Sequence, residues 1–162
     1  AREGFDAYAF DGSESAIKRA KERFEREHLK AHFDVLDALD VNYPDGYFDA
    51  VIDNVCVYGN LLDNINTMYA NIYRMLKTGG KLLTTCFGKE TDGYGTGRSL
   101  EKDTYVEITE GALVGRGTTH FYDKAELNYV LEKAGFKNIQ IDTILYTDRH
   151  VQIEQYIAIA EK

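Results

Sequence analysis

Three acids stand where an alternating α/β chain binds its ligands. Asp11 follows the apolar run Tyr8-Ala9-Phe10, and Asp37 follows Phe33-Asp34-Val35-Leu36. Asp53, with Asn54 behind it, follows Ala50-Val51-Ile52. In open α/β sheets, ligands sit outside the carboxyl ends of the strands. A carboxylate offers two acceptor oxygens in one plane, so Asp11 is placed to take both hydroxyls of a ribose. Asp37 is placed to accept an exocyclic amine such as that of adenine, with the backbone N–H of Ala38 as a neighbouring donor. Each acid also has a plainer reading. Asp11 can be a helix-start acid beside the macrodipole, Asp37 a loop acid, and Asp53 with Asn54 a cap on backbone groups at a strand end.

Asp92-Gly93-Tyr94-Gly95-Thr96-Gly97 is the one stretch that looks like a glycine-rich nucleotide loop. A phosphate-binding loop leads at once into a helix whose N-terminus faces the ligand. Here Arg98-Ser99-Leu100-Glu101-Lys102-Asp103 leads instead into β-branched and aromatic residues. The glycines read better as hinges of a mobile substrate lid. Tyr73-x-x-x-Lys77 and Tyr129-x-x-x-Lys133 match the Tyr-x-x-x-Lys spacing of short-chain dehydrogenases. Both fall on helical patterns, where such pairs arise by chance.

These positions depend on the elements around them. Residues 6–10 read as a strand. Ser13 is a helix N-cap, and Ile17, Ala20 and Phe24 recur at helical spacing over about 14–28. Residues 31–36 read as a second strand, and Tyr43-Pro44-Asp45-Gly46 as a turn. Residues 48–57 form a third strand, apolar on both faces as a central parallel strand is. A helix over about 62–77 buries Ile65, Met68, Tyr69, Ile72, Met75 and Leu76 and ends at Gly79-Gly80. Residues 81–87 are a fourth strand.

Residues 88–103, with four glycines, read as a mobile loop. Residues 104–108 and 113–121 then read as two strands joined at Glu110-Gly111. Asp123-x-x-Glu126 opens a helix with Leu127, Val130 and Leu131 inward, closed by Gly135. Residues 139–146 and 151–160 form a final antiparallel pair. The order predicts an α/β chain with a helix-covered parallel sheet. It predicts a single domain over 1–162 with a lid or substrate insertion at about 89–118.

The chain has 162 residues, 44% hydrophobic and 28% charged, which suits a globular domain with a real core. Its net charge of -8 argues against a nucleic-acid partner. Lys18, Arg19, Lys21 and Arg23 alternate with Glu14, Glu22 and Glu25, as on a solvated helix face. Cys56 and Cys86 lie in apolar runs without Cys-x-x-Cys spacing, which indicates neither zinc nor a disulfide framework. No apolar run reaches membrane length and no signal peptide is recognisable, so a reduced, cytoplasmic setting is expected.

The blocks around the three acids resemble the class I methyltransferases that use S-adenosylmethionine. AYAFDGSESAIKRAKERF is similar to that family's second strand and following helix, and DVLDALDVNYPDGYFDAVI to its adenine-side loop and fourth strand. NIYRMLKTGGKLLTTCFG resembles the helix before strand five with its Leu-Lys-x-Gly-Gly turn, and FYDKAELNYVLEKAGFKNIQID the last helix and entry to strand six. The likeness covers most of the chain except residues 89–118. It implies a Rossmann-like, mostly parallel sheet with helices on both faces and an antiparallel C-terminal strand pair. It also implies S-adenosylmethionine as cofactor: Asp11 on the ribose, Gly12 lining its side, Asp37 and Ala38 on the adenine, and Asp53, Asn54 and Val55 facing the methionine part. The family's first strand and its Asp/Glu-x-Gly-x-Gly-x-Gly loop precede the ribose-binding acid. Ala1-Arg2-Glu3-Gly4 resembles the end of the next helix, so that strand and loop are expected to be missing, with a sheet edge exposed.

Methyl transfer from a sulfonium is an in-line displacement, to which positioning alone can contribute ~7–11 kcal/mol. A fixed base is optional. If the acceptor must lose a proton, His120 is the candidate general base, against its reading as a partly buried structural histidine. Tyr58, Tyr94 and Tyr122 can offer aromatic faces to the sulfonium. Small size and acidity point to a small-molecule acceptor, with no nucleic acid and no membrane as partner. Two alternatives stand: a catalytically inactive binding or regulatory module of the same fold, and an NAD-type protein with Asp11 on that ribose. The YPDGYFD loop and the antiparallel tail favour the methyltransferase over the latter.

Overall fold

Strand β1 (Tyr8–Asp11), helix α1 (Glu14–Arg26) and strand β2 (His32–Val35) build the first of two compact units, Ala1–Asn42 and Tyr43–Lys162, in a computed structural model that describes residues 1–162. β1 and β2 run parallel, with Tyr8 opposite His32 and Asp11 opposite Val35. Ser13 caps α1 as its spacing predicts, accepting from the Ala16 N–H at 3.3 Å. Glu14 in the first turn and Arg23 and Arg26 in the last complement the macrodipole. Ile17 is buried, and Phe24 meets Phe33 edge-on at 4.9 Å. His28, at φ 52, takes the chain out of the helix.

The second unit holds β3 (Phe48–Asn54), α2 (Leu62–Met75), β4 (Leu76–Phe87), β5 (Arg98–Glu101), β6 (Thr104–Val106), β7 (Thr119–His120), α3 (Lys124–Ala134), β8 (Lys137–Asp148) and β9 (Val151–Glu161). Its main sheet has the order β3-β4-β9-β8 and is mixed. β4 is parallel to β3 and antiparallel to β9, and β8 and β9 are the expected antiparallel pair. The α/β class read from the sequence is the observed one. No helix is long and apolar enough to cross a membrane.

Three expectations are corrected. β3 is not a central strand of its sheet but an edge, and Ile52 is 73% exposed. Its apolar composition therefore marks no second covered face within this unit. Helix α2 buries the expected Ile65, Met68, Tyr69, Ile72 and Met75, yet it ends at Met75 rather than at Gly79-Gly80. Leu76 turns extended (φ -72, ψ 142) and already belongs to β4. The glycines serve a bulge between the pairs Phe48–Leu76 and Ala50–Lys81. A Cβ at Gly80 would lie 2.8 Å from the Lys77 carbonyl oxygen, and Gly79 has φ 77.

The third correction concerns residues 88–121. They are not a loop followed by two longer strands. They form a small antiparallel sheet, β5-β6-β7, the cap. Its first residues are strapped to β9. The Gly88 N–H donates to the Glu154 carbonyl (2.9 Å), the Glu90 N–H to Glu154 Oε2 (3.0 Å), and the Gln152 N–H to Asp92 Oδ2 (2.7 Å). Gly93 and Gly97, at φ 101 and 76, admit the backbones of Glu110 and Val106 where a Cβ would collide. These glycines act through close approach. Gly115 and Gly117, at positive φ, keep residues 113–118 out of the ladder, so only Thr119–His120 pairs.

Phe87, Ile108, Leu113, Phe121 and Ile153 form the apolar core under the cap, flanked by Val55, Tyr58, Tyr94 and Tyr105. α3 keeps its local signals. Asp123 Oδ1 accepts from the Glu126 N–H at 2.9 Å, and Gly135 ends the helix at φ 108. Leu127 and Leu131 are fully buried, each contributing about 2 kcal/mol of transfer free energy.

Candidate functional site

In the first unit, Asp11 closes β1 with its carboxylate exposed. Oδ1 accepts from the Ser13 N–H at 2.8 Å, which fixes the group at the helix start and leaves the second oxygen without a hydrogen bond. Gly12 is open: an added Cβ would meet only the Leu36 carbonyl oxygen, at 3.9 Å. Asp37 is also exposed, and its Oδ1 accepts from the Leu39 N–H at 2.9 Å. Because Asp11 pairs with Val35, Asp11, Gly12, Asp37 and Ala38 all gather at the carboxyl end of the β1–β2 pair. The cleft lined by Asp6, Phe24, Leu29 and His32 lies toward the other end of β2 and gathers none of them.

In the second unit, the carboxyl end of β3 carries a built turn. Asp53 is buried and does not face outward. Its Oδ1 accepts from the N–H groups of Cys56 (3.0 Å) and Val57 (3.2 Å), and its Oδ2 from the Thr84 hydroxyl (2.5 Å). The Tyr69 hydroxyl lies 3.0 Å from the same Thr84 oxygen. Burial pushes the Asp53 carboxyl above its ordinary range, and the bonds from Thr84, Val57 and Cys56 only partly offset this. Three donors meet the carboxylate, as an acceptor-only group requires.

The turn held this way is strained. Val55 sits at φ 52, a conformation that costs a β-branched residue about 1–3 kcal/mol. Its N–H donates to Thr85 Oγ1 at 3.0 Å, and Thr85 Oγ1 in turn donates to Asn54 Oδ1 at 3.2 Å. The N–H groups of residues 55, 56 and 57 thus all point inward. Asn54 is exposed and Val55 half-buried at this strand end.

Above the same core, the cap contains a second polar cluster. His120 is fully buried, with Nδ1 2.6 Å from Thr104 Oγ1 and Nε2 3.7 Å from Glu126 Oε1. Burial pulls its pKa down to about 4, against the raising charges of Glu101 and Asp103. The imidazole is therefore neutral at pH 7. Lys89 Nζ lies 2.8 Å from Asp103 Oδ2, 3.1 Å from Asp123 Oδ2 and 3.7 Å from Glu126 Oε2. Tyr94 donates its hydroxyl to Asp103 Oδ1 at 2.7 Å, and the Tyr122 ring is buried edge-on to His120 at 4.5 Å. Of the three tyrosines named for a cation face, Tyr58 lies nearest the β3 turn in sequence. It is half-buried and packs edge-on to Phe87 at 5.0 Å.

Glu101 joins the cap to α2. The helix has Leu61 at its N-cap, which offers no side-chain bond. Glu101 Oε1 supplies the missing acceptor to the Leu62 N–H at 2.6 Å and also lies 3.3 Å from Thr104 Oγ1. Glu101→Ala is expected to cost about 1–2 kcal/mol of stability in urea unfolding, and Glu101→Gln less than half of that. Equal losses in the two variants would show that the carboxylate's charge, rather than its acceptor, is what matters.

The structure thus gathers Asp11, Gly12, Asp37 and Ala38 at one strand end, and Asn54 and Val55 at another. It places Asp53 beneath the turn and His120 inside the cap. Sequence reasoning did not single out Thr84, Thr85, Tyr69, Glu101 or the Lys89 cluster. None carries a spacing signal, because their partners come from distant elements. The exposed acceptors of Asp11 and Asp37, and the bare side of Gly12, fit the hydroxyl and amine groups of S-adenosylmethionine.

Residues 1–80 match the family described as methyltransferase domain. Over 153 residues, 94% of this chain, the sequence is 26% identical to phosphoethanolamine N-methyltransferase 2 of Caenorhabditis elegans. The chain spans about a third (32%) of the length of that curated relative. A SAM-dependent methyltransferase from Methanosarcina mazei matches with a TM-score of 0.80 at 19% identity, covering 99% of this chain and 83% of that one. The 1,6-didemethyltoxoflavin-N1-methyltransferase of Burkholderia thailandensis, solved with 1,6-didemethyltoxoflavin and S-adenosylhomocysteine bound, matches with a TM-score of 0.73 at 19% identity, covering 99% and 63%. Residues 1–80 thus carry the sequence pattern of a methyltransferase domain, and the chain as a whole has the fold of the S-adenosylmethionine-dependent methyltransferases.

Proposed function

We propose that the protein transfers a methyl group from S-adenosylmethionine to a small-molecule acceptor, by in-line displacement driven chiefly by positioning. The observation that carries this reading is Asp11. Its carboxylate is exposed at a strand carboxyl end, one oxygen is anchored by Ser13, the other is free, and a glycine follows whose open side has only the Leu36 carbonyl oxygen near it, at 3.9 Å. In this reading Asp11 takes the ribose hydroxyls, Gly12 lets the sugar approach, and Asp37 with the Ala38 N–H takes the adenine edge. S-adenosylmethionine supplies an electrophilic methyl group when bound.

The β3 turn supports the methionine end of the same reading. With its N–H groups turned inward, the turn is left to present carbonyl oxygen outward at Val55, a partner suited to an ammonium group. The aromatic side chains under the cap exclude water and offer Tyr58 as a cation-facing ring. His120, the general-base candidate, is buried away from solvent, and the proposed reaction takes no step through it. The C. elegans relative makes phosphoethanolamine a fitting first acceptor to assay, and the named methyltransferases support small molecules as the class.

The test is a calorimetric titration with S-adenosylhomocysteine. The full chain is expected to bind, and Asp11→Ala to weaken binding by about 1.5–3 kcal/mol, the range for hydrogen bonds to a charged group. A loss below about 0.5 kcal/mol would reduce Asp11 to a helix-start acid. Protection by NAD without binding of S-adenosylhomocysteine would replace the reading altogether.

A further inference from the structure

The β3 turn poses a question that its role in ligand binding does not answer. Val55 is β-branched and sits at φ 52, with no glycine to ease it. A short polar turn at a strand end usually relaxes to water-bonded conformations; this one is held from behind by three side chains in series. The Tyr69 hydroxyl of α2 meets Thr84 Oγ1 of β4, Thr84 donates to Asp53 Oδ2, and Asp53 Oδ1 takes the N–H groups of Cys56 and Val57. Tyr69 and Thr84 are fully buried and Asp53 nearly so. Each polar side-chain atom in the series has a partner, so rotating any member would leave a buried polar group unpaired.

We infer that Asp53, Thr84 and Tyr69 are positioning residues, a buried relay that holds Val55 in its left-handed conformation so that the turn is shaped before a ligand arrives. None of the three touches the ligand in this account. Asp53 acts through the backbone of residues 55–57, Thr84 orients Asp53, and Tyr69 ties the relay to α2. Pre-shaping matters because a ligand that must first twist a β-branched residue into this conformation binds more weakly by the population it has to select. The inference rests on the proposed cofactor reading for the identity of the ligand, but its geometry lies wholly within the second unit.

The test uses S-adenosylhomocysteine affinity by calorimetry on the full chain, with melting temperatures of the unliganded variants alongside. Asp53→Ala is expected to weaken binding about tenfold or more, and Asp53→Asn, which keeps an acceptor for Cys56 and Val57, by about threefold at most. Thr84→Val keeps the side-chain shape and frees Asp53 to rotate, so its expected loss lies between these two. The decisive variant is Asp53→Ala combined with Val55→Gly. Glycine adopts the left-handed conformation without a clamp, so most of the affinity should return even though the melting temperature does not. A double variant as weak as Asp53→Ala alone would mean that Asp53 matters only for the core, and would overturn the inference. Unchanged affinity in Asp53→Ala would overturn it too, and would leave the cofactor reading standing. A parent chain that does not bind S-adenosylhomocysteine would remove the cofactor reading itself and the positioning role with it.

Discussion

Lys89→Met is expected to lower stability by about 3 kcal/mol at pH 7, the cost of leaving a buried charge without its partner. Lys89 serves three carboxylates, but they do not weigh equally. Asp123 is half exposed and its share is screened, whereas Asp103 is 7% exposed and, once the ammonium is gone, keeps the Tyr94 hydroxyl as its side-chain hydrogen bond and only the exposed Lys102 ammonium, 3.8 Å away, as a counter-charge. Burial pulls the Lys89 pKa down, yet the bonds from Asp103 and Asp123 outweigh it and hold it above its ordinary value. Burial likewise raises Asp103, and the bonds from Lys89 and Tyr94 hold it lower on balance. A depressed carboxyl adds stability above its unfolded pKa and loses it as pH falls through the folded value. The gap between parent and variant should therefore shrink toward pH 3. Urea unfolding at pH 7 and pH 3 measures it, and Lys89→Met/Asp103→Asn should recover much of the loss. A gap under about 1 kcal/mol at pH 7 would make the cluster an ordinary surface ion pair.

The second large effect is acid sensitivity through His120. Its pKa is lowered from 6.5 to about 4. A base with a depressed folded pKa contributes stability that is present above its unfolded pKa and lost as pH falls toward the folded value. The range is therefore about pH 6.5 to 4, and the loss approaches 3 kcal/mol at its lower end. Glu126 works the other way: burial raises its carboxyl, so proton uptake on acidification favours the fold and blunts the loss. His120→Asn keeps an acceptor for Thr104 and removes the titration. Between pH 7 and pH 4, the variant should lose about 2–3 kcal/mol less than the parent. Parallel unfolding curves for the two would show that the imidazole is already charged, or already wet, in the native state.

The legible parts of this protein are those that local physics decides. Ser13, Asp123 and Gly135 mark helix ends by chemistry confined to one turn, and all three sit where their residue types place them. The stripe of α2 and the antiparallel β8–β9 pair follow from periodicity alone. Asp11 and Asp37 could be placed at strand carboxyl ends because each follows a short apolar run, whereas Gly12 entered only through the family resemblance. What local physics did not decide was less readable. Gly79-Gly80 has the look of a helix stop and serves a bulge, because the crowding at Gly80 comes from Lys77 and from Asp49 of another strand. Asp53 reads as a strand-end acid, and its burial is set by Thr84 and Tyr69, 31 and 16 residues away. The cap reads as a hinged loop, because nothing local announces that Glu154 and Gln152 will strap it down.

Glu101 at the start of α2 carries a consequence for ligand choice. The N-terminus of a helix is the ready-made seat for a phosphate or carboxylate, since its free N–H groups and dipole favour negative charge. In α2 that seat is filled from within the protein, by a carboxylate bonded to the Leu62 N–H. An anionic group of a ligand therefore finds this seat already taken, and the dipole of α2 serves instead to tie the cap to the helix.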